Sequence, residues 1–185
     1  RLLRRLLAFA RDLVEELFAP LRSPALRELS AAGRGVVYQL EQGLGTVLTA
    51  EAQGQVSDLR PRDRELLAGL DVEVGERVIF LRSLLTPPAI ERRMALCAAH
   101  FEGPLRPVSP QPGALSMILP RGLDPHAFTR IGYPVFGTRA IRADLVERFH
   151  QALSGADPGP GVLSALLGCT PRELPWIAQA LGGVG

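Results

Sequence analysis

Lysine is missing altogether: all 21 basic residues are arginine. The absence removes two classes of chemistry. A phosphate loop of the GxxxxGK[ST] type takes its lysine to the phosphates, and Schiff-base catalysis needs a lysine amine. Neither can be built from this chain. Cysteine is almost as scarce. Cys97 and Cys169 are too few for a disulfide framework or a four-cysteine zinc site, so reduced thiols are the simpler reading. Long apolar runs are missing too. Arg11 and Asp12 interrupt the leucine-rich start before it reaches signal-peptide length, and the uncharged stretch 107–120 carries four prolines. A cytoplasmic protein with no membrane segment is expected. A strong field of either sign is also absent. The net charge is +2 and the pI near 8.9, short of what a dedicated nucleic-acid-binding tail carries, so any such contact must come from local clustering.

What is present is a core-forming composition, 46% hydrophobic over 185 residues, enough for one domain or a compact pair. The chain opens on Arg1 with no initiator methionine, and a longer protein is expected around it. Leu2, Leu3, Leu6, Leu7, Ala10, Leu13, Val14, Leu17 and Phe18 recur at helical spacing against a charged face, predicting a helix over 2–19. Ser23-Pro24 opens a second over 24–44, in which Gly33 and Gly35 either allow close contact or divide the helix. Residues 53–58 read as polar loop, 61–68 as a short helix, and 72–81 as a hairpin turning at Gly75-Glu76. Pro87-Pro88 starts a helix over 88–100. Six prolines in 102–125 forbid regular helix over most of that stretch, although Ala114 to Leu119 can form a strand, paired with Tyr133 to Phe136.

The densest local signals lie in 132–183. The stretch 133–140 reads as a strand that bends at Gly137, followed by helices over 142–153 and 161–167. Thr170-Pro171-Arg172-Glu173 reads as a capping box opening a final helix over 171–181, with Leu174, Ile177, Ala178 and Leu181 inward. Pro175, one turn in, predicts a distorted first turn.

Few side chains in this pattern carry chemistry. Cys97 and His100 have the spacing of two metal ligands on one helical face, but only Cys169, His126 and His150 can complete a site. A core cysteine and no metal are expected. Glu147 and His150 are helix neighbours able to orient an imidazole, yet no nucleophile elbow or oxyanion loop accompanies them. A surface charge pair is expected and no catalytic residue is assigned. Arg139 and Arg142 flank a strand-to-helix junction, with Thr138 beside them. Arginines there can hold phosphate, aided by the amides of the helix start. The alternative is that either one pairs with Asp144 or Glu147 and braces the turn. The unit SALLGCTPRELPWIAQALG has a helix-turn-helix outline, but beyond Arg172 it offers a DNA reader only Gln179, so packing is expected. Trp176 can stack on a base; the commoner role, a core or interdomain anchor, is expected.

GTRAIRADLVERF, then LLGCT with an acidic helix start and ALG, resemble the C-terminal region of bacterial, alphaproteobacterial-type relatives of the mitochondrial degradosome RNA helicase, members of helicase superfamily two. GRGVVYQLEQGLG, LDVEVGERVIFLRSLLTPPAIERRMAL and the opening amphipathic helix are similar as well, so the resemblance covers most of the chain. It implies an accessory, non-ATPase region that packs on a helicase core in cis and helps enclose single-stranded nucleic acid. Thr138, Arg139 and Arg142 would contact the strand, and ATP and Mg would belong to an upstream core. The alternative is a protein-interaction adaptor docking a partner through its amphipathic helices. The expected fold is mostly α with small β elements (α+β), a helical accessory domain with a short hairpin. It divides into a helical subdomain over 1–103, a proline-rich connection over 104–130 and a strand-helix-helix-helix subdomain over 131–185.

Overall fold

The computed structural model describes residues 2–100, 110–111, 113–155 and 159–182. Helix α1 (Leu2–Leu17) buries Leu13 and Leu17, with Phe18 just beyond, and leaves Leu7 and Phe9 exposed. Two short 3-10 turns, Ala19–Arg22 and Pro24–Glu28, lead to α2 (Ala31–Gln42). The helix expected over 24–44 is therefore divided, but at Leu29–Ser30 and not at the glycines. Ser30 takes the N-cap, its Oγ accepting from the Gly33 N–H at 3.2 Å. A Cβ on Gly33 would lie 2.9 Å from Leu29 Cδ2, so that glycine permits close packing.

Strand β1 (Thr46–Leu48) was not expected, and the predicted loop 53–58 is instead helix α3 (Gln53–Ser57), entered from a 3-10 turn over Thr49–Ala52. Helix α4 (Pro61–Gly69) starts on a carboxylate with two duties. Asp63 is buried and accepts from the Arg60 N–H at 3.0 Å, closing its own capping box, while the Ser30 N–H and hydroxyl each reach it at 2.8 Å. One carboxylate thus holds the starts of α2 and α4 together, and the Ser30 N–H and hydroxyl keep its pKa below the usual value.

Strands β2 (Val72–Val74) and β3 (Val78–Leu81) form the expected hairpin, and β1 adds on the other side to give the order β1-β3-β2. All four residues of β3 are buried. Ile79 and Leu81 pack with Leu13, Leu21, Leu40 and Leu67, whereas Val78 and Phe80 pack with Ile141, Val146, Phe149 and Ile177. The period-two alternation of a strand makes β3 the shared wall of two cores.

Helix α5 (Pro87–His100) carries Arg93, which is fully buried with no carboxylate among its described partners. Its Nη1 donates to Leu44 O, Thr46 Oγ1 and Arg130 O, and its Nη2 to Leu84 O. Burial pushes its pKa down to about 9, which still leaves the cation charged at neutral pH. Those carbonyls tie α5 to segments far apart in the chain. Beside it a third cluster gathers Ile90, Cys97, Phe128, Ile131 and Tyr133.

Strand β4 (Ser116–Ile118) is followed by α6 (Pro125–Arg130), a helix inside the stretch expected to be a proline-rich connection. Asp124 caps it and Pro125 occupies its first turn, where a missing N–H costs nothing. The strand expected over 133–140 is two strands, β5 (Val135–Phe136) and β6 (Arg139–Ile141), because the chain reverses at Gly137–Thr138 with Gly137 at φ +63°. The expected partner of β4 is corrected accordingly. It pairs with β6, Ser116 opposite Ile141, and the order is β4-β6-β5.

Helices α7 (Ala143–Ser154), α8 (Pro160–Leu167) and α9 (Leu174–Ala180) complete the chain. The architecture is mostly α with two small antiparallel sheets. Among the described residues no helix is long and apolar enough to cross a membrane.

Candidate functional site

The turn at Gly137–Thr138 stands next to the α8–α9 connection, and a network of polar bonds joins them. Gly168, at φ +62°, ends α8 in the left-handed conformation. Glu173 then folds back, Oε2 accepting from the Thr170 N–H and hydroxyl, both at 2.8 Å. Its Oε1 accepts from Arg139 Nη2 at 2.5 Å, and Arg139 Nη1 donates to Ser116 Oγ at 2.8 Å. The Ser116 hydroxyl donates onward to Leu167 O. The network binds β4, β6, the end of α8 and the approach to α9 into one surface. The Arg139 guanidinium, followed by the Thr170 donors, pulls the Glu173 pKa down to about 2. Burial pushes the nearby Cys169 thiol up.

Above this network lies a groove of about 490 Å³. Phe136, Ile177 and Ala180 give it apolar walls, Thr138 and Gln179 give it polar groups, and the Arg139–Glu173 pair lies among its lining. Trp176 stands on it, 72% exposed. Of the two roles expected for this tryptophan, its exposure corrects the core anchor and is compatible with the interdomain one. Regular helix begins at Leu174, and the ladder resumes with the Ile177 N–H on Glu173 O at 3.1 Å because Pro175 has no N–H to give. The final helix is therefore shorter than the 171–181 expected. Leu174, Ile177 and Leu181 are its buried stripe, and Trp176 lies off that stripe, as the same spacing read one step further would have shown.

The structure separates the three residues singled out at the strand-to-helix junction. Thr138 is exposed and Arg139 is 7% exposed, both on the tryptophan groove. Arg142 lines a different groove, with Arg82 and Thr86, and its Nε and Nη2 grip Asp144 at 2.6 and 2.9 Å, which raises its pKa. The bracing role weighed for Arg142 thus has its named partner. Arg139 also braces, with Glu173 and Ser116 as partners instead of Asp144 or Glu147.

Glu147 and His150 do not act as a pair. Glu147 is buried and accepts three backbone N–H groups of the β2–β3 turn, from Glu76 at 3.0 Å, Arg77 at 2.8 Å and Val78 at 2.7 Å. His150 places Nε2 2.8 Å from Glu76 Oε2 and accepts from Arg77 Nε at 3.5 Å. Cys97 is fully buried, and the side chain of His100 lies outside the described residues. Among the described residues no three His, Cys, Asp or Glu side chains gather as metal ligands would. Compared with protein-family models, with curated proteins and with solved structures, the chain matches none.

Proposed function

We propose that this chain is the accessory, non-ATPase region of an ATP-dependent superfamily-two helicase, packing on the helicase core in cis and helping to enclose single-stranded nucleic acid. The sequence resemblance across GTRAIRADLVERF and LLGCT supports the helicase half of this reading. The observation that carries the strand half is an exposed tryptophan over a groove bearing a hydroxyl and a carboxamide. That combination suits unpaired nucleotides better than duplex backbone. Thr138 belongs to this contact surface. Arg139 shapes it, since its guanidinium is committed to Glu173 and Ser116. Arg142, held by Asp144 in a separate groove, is at most a secondary phosphate contact.

A second reading, the protein-interaction adaptor, draws on α1, where Leu7 is 62% and Phe9 65% exposed. The two readings part at the reading frame that encodes Arg1. A helicase region predicts a GxxxxGK[ST] loop and an acidic DExH-type box encoded upstream. A frame carrying neither overturns the helicase assignment and leaves the exposed face of α1 to a separate partner.

A further inference from the structure

Resting on the strand-binding reading, we infer that the groove under Trp176 is a subsite for one unpaired nucleobase, held by stacking and edge hydrogen bonds without a salt-sensitive phosphate clamp. Three observations converge on an uncharged planar ring. Trp176 offers an aromatic ring that the described residues leave largely uncovered, since it is 72% exposed on a groove of about 490 Å³. The arginine in that groove is neutralised, because Arg139 donates to Glu173 Oε1 at 2.5 Å. A phosphate placed there would have to displace a carboxylate, so the anionic part of a nucleotide lies elsewhere. Thr138 and Gln179 supply donors and acceptors beside the ring, groups that pair with the edge of any base.

Trp176 therefore contributes affinity that salt does not alter.

Trp176 is the one tryptophan in the sequence, so intrinsic fluorescence reads this groove directly. The 185-residue chain is titrated with a 15-nucleotide oligouridylate and with an abasic oligomer of the same length. Trp176→Ala and Trp176→Phe are compared by anisotropy of the labelled oligouridylate. Saturable quenching by the oligouridylate but not by the abasic oligomer is expected. Trp176→Ala is expected to weaken binding about 5- to 100-fold with an unchanged slope of log affinity against log salt, and Trp176→Phe to retain most of the affinity. If the chain binds the oligouridylate and Trp176→Ala binds equally well, the base subsite is overturned while the strand-binding reading stands. If the chain binds neither oligomer at millimolar concentration, the strand-binding reading is overturned and the subsite with it.

Discussion

Glu173 shows how much one carboxylate can organise on this surface. It holds Arg139 with one oxygen and the Thr170 N–H and hydroxyl with the other, and these donors lower its pKa from 4.5 to about 2. A depressed carboxylate pKa contributes stability that is present in full above the unfolded value and is lost as pH falls through the folded one. The window is therefore pH 4.5 down to about 2. Glu173→Gln, followed by acid titration of Trp176 fluorescence and of thermal stability, is expected to be less stable than the parent above that window and to converge with it below. Parallel curves at all pH values would contradict the assignment. Only half of the expected capping box forms, since the Thr170 hydroxyl donates to the Glu173 carboxylate and the Glu173 N–H goes to Thr170 O, but the local contact of Glu173 with Thr170 was legible in the sequence. The second partner of Glu173 was not, because Arg139 lies 34 positions away and no local pattern announces such a pairing. Trp176 was legible in principle. The stripe Leu174, Ile177, Leu181 that was read as buried already places residue 176 outside it.

At the scale of elements, the hairpin β2–β3 and helix α7 depend on each other. The Glu147 carboxylate satisfies three turn N–H groups, and a Cβ on Gly75 would lie 2.2 Å from its carboxyl carbon. That carboxyl group ends a side chain, but one pinned by three bonds, so it cannot give way cheaply. Glu147→Ala is expected to cost about 3 kcal/mol, since buried donors lose a charged acceptor. Gly75→Ala should cost a similar amount by dislodging the same group. Because both changes break one contact, the double variant should cost much less than the sum, and chemical denaturation measures this directly. Additive losses would show that turn and helix are independent. The sequence announced these elements by periodicity and by prolines at their starts, which act within a few residues. It did not announce β1, whose three residues Thr46–Leu48 are too few for alternation to register and which exists because β3 offers it an edge. The reversal at Gly137–Thr138 was hidden for a related reason. A glycine at positive φ serves a bulge and a tight turn equally well, and the pairing of Phe136 with Arg139 decides between them.

Across the whole molecule, the two larger cores share a wall. Strand β3 faces both, with Ile79 and Leu81 on one side and Val78 and Phe80 on the other. The Arg93 cation draws carbonyls from Leu44, Leu84 and Arg130 onto one side chain. The tryptophan groove is therefore mounted on a scaffold that extends back to the β2–β3 hairpin, and α1 presents Leu7 and Phe9 at the other end of the sequence. This arrangement suits a region that carries a strand-contact surface and rests on a neighbouring domain. The fold class was legible because helical spacing dominates the chain. The groove itself was legible only in part, at residues 138 and 139, since burial decided that Arg139 supports it and that Trp176 stands on it. The most direct measurement compares a labelled 15-nucleotide single strand with a blunt duplex of the same length, each titrated with the 185-residue chain at low salt. The account predicts that the single strand binds at least about tenfold more tightly, as stacking on unpaired bases requires. Equal affinity for the two, or affinity for neither, would contradict it.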